Sequence, residues 1–300
     1  MGAIYWLGAH KTGTTFLQKC LDLSVPALND HGIYYTELEE FRTRYARPLL
    51  NQTADEVVAE DDYDDRKYPT RLVFDENIPG YVQHALSVAG FYPEAVQRSA
   101  RIARHLDLEV HDVVFGVRSY DTFLPSLYCE TLKSTPFRTF DQYLKRSFRV
   151  RPTHPNDAGR PRAPESPSFD RMNWRQLVGR LASAYPDARV RVYFHEQLRG
   201  NEARLLAEVL GLNESEITIL DTLERTGFSG RAVEELHTLS VERTVTRADV
   251  RRAVRRFPAG KEFPTYYPWD ESDRELLRRN YEQDSKRLRS DPRLEIIKLD

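Results

Sequence analysis

The chain has 300 residues, of which 40% are hydrophobic and 11% aromatic, so it can form a folded core and is not a disordered chain. Its 44 lysines and arginines nearly balance its 46 aspartates and glutamates, and a net charge of −2 gives no basis for nucleic-acid binding. Apolar runs are too short for a membrane span, no leader precedes the first strand, and the two cysteines are far apart. We therefore expect a soluble, cytoplasmic protein with reduced thiols.

Apolar runs and helical spacings alternate along the chain. Strands are predicted at 3–7, 33–35, 71–77, 110–117 and 190–194. Helices are predicted from residue 16 and at 36–60, 93–106, 122–132, 139–148, 169–185, 202–210, 230–256 and 274–289. This alternation predicts one α/β domain over residues 1–300, with a mainly parallel central sheet flanked by helices. Residues 150–168 are rich in Pro and Arg without an apolar period, which predicts a mobile loop or lid.

The most informative stretch lies between the first strand and the first helix. Residues 8–18 read GAHKTGTTFLQ, a Gly/Thr turn that leads into a helix. The N-terminus of a helix presents backbone N–H groups and a positive dipole end, which favours anion binding. Lys11 adds a cation, Gly13 permits the turn, and the hydroxyls of Thr12, Thr14 and Thr15 add donors for phosphate-like oxygens. The alternative is a Gly/Thr turn that only caps a helix.

The position of the lysine distinguishes two kinds of phosphate loop. In nucleotide-hydrolysing P-loops the lysine follows the second glycine, where this chain has Thr14. Here Lys11 comes two residues before Gly13. The run KTGTTFL from Lys11 resembles the 5′-phosphosulfate loop of the sulfotransferases that use 3′-phosphoadenosine 5′-phosphosulfate (PAPS). That resemblance implies a P-loop NTPase-like sulfotransferase fold and a donor site in which Lys11 to Thr15 bind the 5′ side.

A second cluster follows the predicted strand 110–117. Arg118 ends that strand and Ser126 comes eight residues later, on the next predicted helix. A guanidinium offers a planar fork to phosphate and a serine hydroxyl can complete the site, although an isolated Arg/Ser pair is weak evidence. The spacing is similar to the sulfotransferase pattern that binds the 3′-phosphate of the donor, with Ser119 and Tyr120 replacing the common Asn-Pro.

A third element precedes the last predicted helix. Residues 258–264 read PAGKEFP, similar to the C-terminal loop of sulfotransferases that closes over the donor's phosphates. The resemblance assigns donor contacts to Gly260 and Lys261, while Ala259 replaces a basic residue of the family pattern. A plain Gly/Pro turn is the alternative. The resemblance covers about residues 3–288 and implies a PAPS-dependent enzyme whose product is adenosine 3′,5′-bisphosphate (PAP).

Sulfuryl transfer to a hydroxyl or amine of a small-molecule or carbohydrate acceptor needs a cation and a base. Lys11 is the candidate that stabilises the leaving phosphate, and no metal is expected in the site. The base is predicted to be Glu76, which follows the predicted strand 71–75 as a glutamate does in carbohydrate- and protein-modifying sulfotransferases. A capping or salt-bridged carboxylate is the alternative. His10 is a second candidate for base or donor contact, and a structural histidine is equally compatible with the sequence.

Two other functions remain open at this point. A P-loop kinase or ATPase is compatible with Asp75 and Glu76 at a strand end, which resembles a magnesium-binding position. The position of Lys11 argues against it. A non-catalytic anion-binding protein of the same fold would bind the donor without transfer. The acceptor and the oligomeric state are not indicated by the sequence, because acceptor pockets are built from variable loops.

Overall fold

The computed structural model describes residues 2–51, 63–134, 136–147, 172–221 and 227–299. Its strands are β1 (Gly2–Trp6), β2 (Ile33–Tyr35), β3 (Thr70–Phe74), β4 (Leu86–Ser87), β5 (Gly90–Phe91), β6 (Glu109–Val117), β7 (Arg189–Phe194) and β8 (Leu294–Ile296). Six of them form one sheet in the order β2-β3-β1-β6-β7-β8, in which every neighbouring pair is parallel. Strands β4 and β5 form a separate antiparallel pair. The predicted α/β class with a mainly parallel sheet is confirmed.

Helices connect these strands and cover the sheet. They are α1 (Thr14–Leu23), α2 (Val25–Asp30), α3 (Leu38–Phe41), α4 (Arg47–Leu50), α5 (Ala95–His105), α6 (Tyr120–Thr131), α7 (Phe140–Ser147), α8 (Trp174–Ala184), α9 (Glu202–Leu210), α10 (Gly230–Glu242), α11 (Arg247–Arg256) and α12 (Glu271–Arg289). A π-helical segment, Arg42–Ala46, joins α3 to α4. Among the described helices, none is both long and apolar enough to pass through a bilayer.

The central strand β1 is buried on both of its faces. Tyr5 belongs to one apolar cluster with Trp174 of α8, whereas Trp6 belongs to a second cluster with Leu17 of α1. Successive side chains of a strand point to opposite faces, so each face of β1 meets its own layer of helices. Burial on both faces is typical of parallel strands and explains why these strands are almost continuously apolar.

The carboxyl ends of the central strands lie at the same edge of the sheet. Trp6 at the end of β1 is paired with Phe74 at the end of β3, and Val117 of β6 is paired with Phe194 of β7. The residues that follow these four strands therefore come together in space. In open parallel sheets this edge is where ligands bind.

Several element bounds differ from the predicted ones for local reasons. The predicted helix 230–256 is two helices, because Thr246 and Asp249 form a reciprocal capping box that begins α11. The predicted helix 169–185 begins at Trp174, where the Asn173 side chain accepts a hydrogen bond from the Gln176 N–H. Helix α12 begins at Glu271, three residues earlier than predicted, because the Asp270 side chain caps it.

Other differences concern strand β8 and the predicted elements that reach beyond the described residues. The strand β8 has only three residues, which is too short for a clear alternating pattern, and it was not predicted, yet it pairs with β7. The predicted helix 36–60 is described only as far as residue 51. The predicted lid, 150–168, lies outside the described residues, and the assignment of one domain to residues 1–300 stays a prediction. By contrast, α9 has the predicted bounds and ends at Gly211, whose φ of 70° suits a glycine.

Candidate functional site

The loop between β1 and α1 contains three residues with positive φ, of which Gly8 has a φ of 51°. Lys11 has a φ of 66° and Gly13 a φ of 88°, and α1 begins at the next residue, Thr14. A side chain does not fit at position 13, because a Cβ there would lie 2.4 Å from Leu198 Cδ2. Left-handed backbone is unfavourable for a lysine and is concentrated at functional sites. The loop is therefore held in a strained conformation directly before a helix N-terminus.

The donors that the sequence predicts for an anion are not equivalent in the structure. In the first turn of α1 the Phe16 N–H donates to the Gly13 carbonyl oxygen at 2.9 Å, whereas the N–H groups of Thr14 and Thr15 have no acceptor within the helix. Thr14 is buried and Thr15 is partly exposed. Thr12, however, is fully buried, and its hydroxyl donates to the Ala9 carbonyl oxygen at 2.7 Å. Its hydroxyl closes the loop, and its contact with phosphate stays a prediction.

Arg118 joins the end of β6 to this loop. Its Nη1 donates to the Lys11 carbonyl oxygen at 2.7 Å and to Ser126 Oγ at 3.4 Å, and its Nε donates to Thr122 Oγ1 at 3.1 Å. Burial lowers the pKa of Arg118, although an arginine stays protonated in proteins. The structure thus brings together Lys11, Arg118 and Ser126, which are up to 115 residues apart in sequence.

These three residues line one cavity of about 560 Å³. The cavity lies at the carboxyl edge of the sheet, and helix α6 forms one wall with Thr122, Ser126 and Cys129. Among the described residues, three basic side chains, those of Lys11, Arg118 and Lys133, line it together with one carboxylate, that of Glu130. A cavity with this lining is suited to a ligand that carries more than one negative charge.

Glu130 is a site residue that the sequence analysis missed. Its carboxylate lies 3.2 Å from Lys11 Nζ and 2.8 Å from Lys133 Nζ. Burial favours the neutral acid, but the two lysines outweigh it and hold the pKa of Glu130 below its ordinary value. The sequence did contain one signal. Glu130 follows Ser126 by four residues, so the two share one face of α6.

Aromatic side chains from the segment before α12 complete the wall. Tyr266 and Tyr267 line the cavity, and the Tyr267 hydroxyl donates to Asp121 Oδ2 at 2.8 Å. The indole N–H of Trp269 donates to the Asp121 carbonyl oxygen at 2.7 Å, and its ring packs edge-on against Phe140. Asp121 therefore anchors this segment against the start of α6. The aromatic run therefore both lines the cavity and packs against its neighbours.

The tip of the C-terminal loop does not join the site. The Gly260 N–H donates to the Phe263 carbonyl oxygen at 2.9 Å, which folds residues 260–263 into a tight turn. Lys261 is exposed in this turn, and neither Gly260 nor Lys261 lines the cavity. The contact of both residues with the donor stays a prediction. The neighbouring Thr265 is in the cavity wall instead.

Glu76 follows β3 and is ion-paired. Its carboxylate accepts from Arg42 Nη2 at 3.1 Å and from Gln18 Nε2 at 2.9 Å, and the same guanidinium contacts Asp75 at 2.6 Å. Burial raises the pKa of Asp75, whereas Arg42 lowers the pKa of Glu76 in spite of its burial. Glu76 does not line the cavity with Lys11. Glu76 is thus a salt-bridged carboxylate, which is the alternative that the sequence allows. Its role as base stays a prediction.

His10 is buried beside the loop with partners at both ring nitrogens. Nδ1 lies 2.9 Å from the Tyr92 hydroxyl, which also accepts the His10 backbone N–H, and Nε2 lies 3.1 Å from the Asn77 side-chain amide. Burial lowers the pKa of His10, so the ring is neutral at pH 7. This arrangement fits a structural histidine and leaves the predicted role of His10 in catalysis a prediction.

His195 is a second residue that the sequence analysis passed over. It directly follows β7, and its Nδ1 lies 3.9 Å from the position of a Cβ on Gly13. Nδ1 is buried and has no hydrogen-bond partner among the described residues. Burial lowers the pKa of His195 to about 4, and the positive charge of Arg118 acts in the same direction. Ligands bind beyond the carboxyl ends of parallel strands, and this rule applies to His195 after β7 as it does to Arg118 after β6.

No protein-family model matches the sequence, and no curated protein matches it. Lys11, Arg118 and Ser126 meet at one cavity, and this arrangement is the basis for a function.

Proposed function

We propose that this protein is a sulfotransferase that uses PAPS as donor and a small-molecule or carbohydrate acceptor. One observation carries the proposal: the Arg118 guanidinium lies 2.7 Å from the carbonyl oxygen of Lys11 and 3.4 Å from Ser126 Oγ. Two motifs that resemble the 5′ and 3′ halves of a sulfotransferase donor site thus meet at one cavity. The finer fold, the P-loop NTPase-like fold of the sulfotransferases, is part of the same proposal.

The residues present fit a ligand with two separated anionic groups. Lys11 and the N-terminus of α1 form one positively polarised position, and Arg118 with Ser126 forms the other. A guanidinium is a good partner for a phosphate dianion because it can donate two parallel hydrogen bonds. Lys11, Arg118 and Ser126 line a cavity of about 560 Å³, which is within the usual range for small-molecule sites, whereas Gly13, Thr14 and Thr15 are not part of that lining.

PAPS would supply the sulfuryl group, which moves in line to an acceptor hydroxyl or amine. In this proposal Lys11 holds negative charge at the leaving phosphate, and Gly13 to Thr15 orient it through backbone N–H and hydroxyl groups. The acceptor proton needs a base. Glu76 and His10 are the candidates carried from the sequence, and each would first have to give up the hydrogen bonds described above. We also propose a cytoplasmic location, which the free thiols of Cys20 and Cys129 support.

Calorimetric titration with PAP in metal-free buffer tests the donor site. We expect Arg118→Ala to weaken PAP binding by about 10- to 100-fold, the loss of one to two charge-assisted hydrogen bonds. Arg252→Ala is the matched control, because Arg252 is exposed on α11 and does not line the cavity. This control removes the same charge and should leave the affinity for PAP unchanged.

Three results would contradict the proposal. Equal affinity of wild type and Arg118→Ala for PAP would show that the predicted 3′-phosphate position is wrong. A preference for ATP that depends on magnesium would favour a P-loop kinase or ATPase, for which Asp75 at the end of β3 is the candidate metal-binding residue. Binding of PAP without any transfer in an acceptor screen would favour the non-catalytic anion-binding alternative.

A further inference from the structure

We propose that Glu130 is an internal competitor for the anionic ligand and thereby sets which nucleotides the cavity binds tightly. Its carboxylate lies 3.2 Å from Lys11 Nζ, the group that would contact the 5′-phosphate side of a donor. The inference rests on the proposed function, because the assignment of Lys11 to the 5′ side comes from it.

The geometry places a negative charge where a ligand would bring its own. Glu130 lies on α6, four residues after Ser126, and both side chains line the cavity. An anionic group that binds Lys11 would meet the Glu130 carboxylate at short range. Two like charges at such a distance repel each other, so the ligand has to displace Glu130 from Lys11 before it can bind closely.

The structure also provides a position for the displaced carboxylate. Lys133, one helical turn further along, already contacts Glu130 Oε2 at 2.8 Å. The Glu130 and Lys11 side chains are 28% and 26% exposed, so neither is fixed by complete burial. Displacement therefore breaks the contact of Glu130 with Lys11 and leaves its contact with Lys133 in place.

Displacement affects only ligands with a negative group at Lys11. The second position, formed by Arg118 and Ser126, has the Arg118 guanidinium bonded to the Lys11 carbonyl oxygen and does not contact the Glu130 carboxylate directly. A nucleotide with a phosphate only at the 3′ position can bind there while Glu130 stays on Lys11. Glu130 should thus lower the affinity for 5′-phosphorylated ligands and leave 3′-phosphorylated ones unaffected.

The test compares three probes on wild type and Glu130→Gln by calorimetry in metal-free buffer: PAP, adenosine 5′-monophosphate and adenosine 3′-monophosphate. Glutamine keeps the shape of glutamate and removes its charge. We expect the variant to bind the first two about two- to tenfold more tightly and the third with unchanged affinity. Glu234→Gln is the control, because Glu234 is an exposed partner of Arg231 outside the cavity. This substitution changes the net charge by the same amount as Glu130→Gln.

Each outcome decides between the two proposals. An equal gain for all three probes would show a general charge effect, and no gain or a loss would show that Glu130 positions Lys11; either result overturns the inference alone. Failure of wild type to bind any of the three would overturn the proposed function and this inference with it. If Glu130→Gln does not fold, Glu130→Asp withdraws the carboxylate by one methylene and should give a smaller gain with the same selectivity.

Discussion

The backbone of the loop between β1 and α1 depends on the absence of a side chain at position 13. Gly13 has a φ of 88°, and a Cβ there would lie 2.4 Å from Leu198 Cδ2. Gly13→Ala should cost about 1–2 kcal/mol for the left-handed backbone and about 1–3 kcal/mol for the clash. Leu198 is only 4% exposed and has little room to move. We therefore expect a total loss of about 2–5 kcal/mol in the free energy of unfolding.

Urea unfolding of Gly13→Ala and of a matched variant separates these two contributions. Gly200 has a similar φ of 84°, but no atom lies within 4 Å of a Cβ placed there. Gly200→Ala should thus cost only the backbone term, about 1–2 kcal/mol. The double variant Gly13→Ala/Leu198→Ala should cost less than the sum of the two single changes, because it removes the atom that clashes.

The reasoning would be refuted by either of two results. Gly13→Ala could cost no more than Gly200→Ala, or the effects of Gly13→Ala and Leu198→Ala could simply add. In both cases the packing of Leu198 against the loop would not require a glycine.

Two further predictions concern buried charged and titratable groups near the site. Burial keeps His195 neutral down to a pH of about 4, whereas an unfolded histidine titrates near 6.5, so wild-type stability should fall as the pH decreases through this window. Between pH 6.5 and 4, the free energy of unfolding of His195→Gln, measured in urea, should fall by up to about 3 kcal/mol less than that of wild type. Equal pH profiles of the two proteins would contradict this. Arg42→Ala leaves the carboxylates of Asp75 and Glu76 unpaired and should cost about 3–5 kcal/mol. The control Arg47→Ala, which removes an exposed pair, should cost less than about 1 kcal/mol, and similar losses for both would show that the buried pairing is unimportant.

Local patterns were sufficient for the elements that position the site. The apolar run of β1, the Gly/Thr turn and the helical spacing from Phe16 predicted a strand, a loop and a helix in that order. The rule that ligands lie beyond the carboxyl ends of parallel strands then placed Arg118 next to the loop, and the 2.7 Å contact with Lys11 agrees with it. These features are encoded within a few neighbouring residues, so the sequence alone could reveal them.

Contacts between distant segments were beyond such reasoning. Glu130 pairs with Lys11 across 119 residues, and Arg42 reaches Asp75 from a π-helical segment that has no sequence signature. The turn of Gly260 and Lys261 resembled a donor-binding loop, but its place is set by pairing between Ser229 and Thr265. In each case the partner is chosen by how separate elements pack, and propensity or motif spacing does not contain that information.

A calorimetric comparison of PAP and ATP binding to the wild-type protein tests the central claim most directly. Calorimetry in the presence of a metal chelator compares the affinities for PAP and ATP, and the ATP titration is repeated with magnesium. A sulfotransferase donor site predicts that PAP binds without metal and more tightly than ATP under either condition. Tighter binding of ATP with magnesium, or no binding of PAP, would contradict the assignment of the Lys11 loop and Arg118 to a PAPS site.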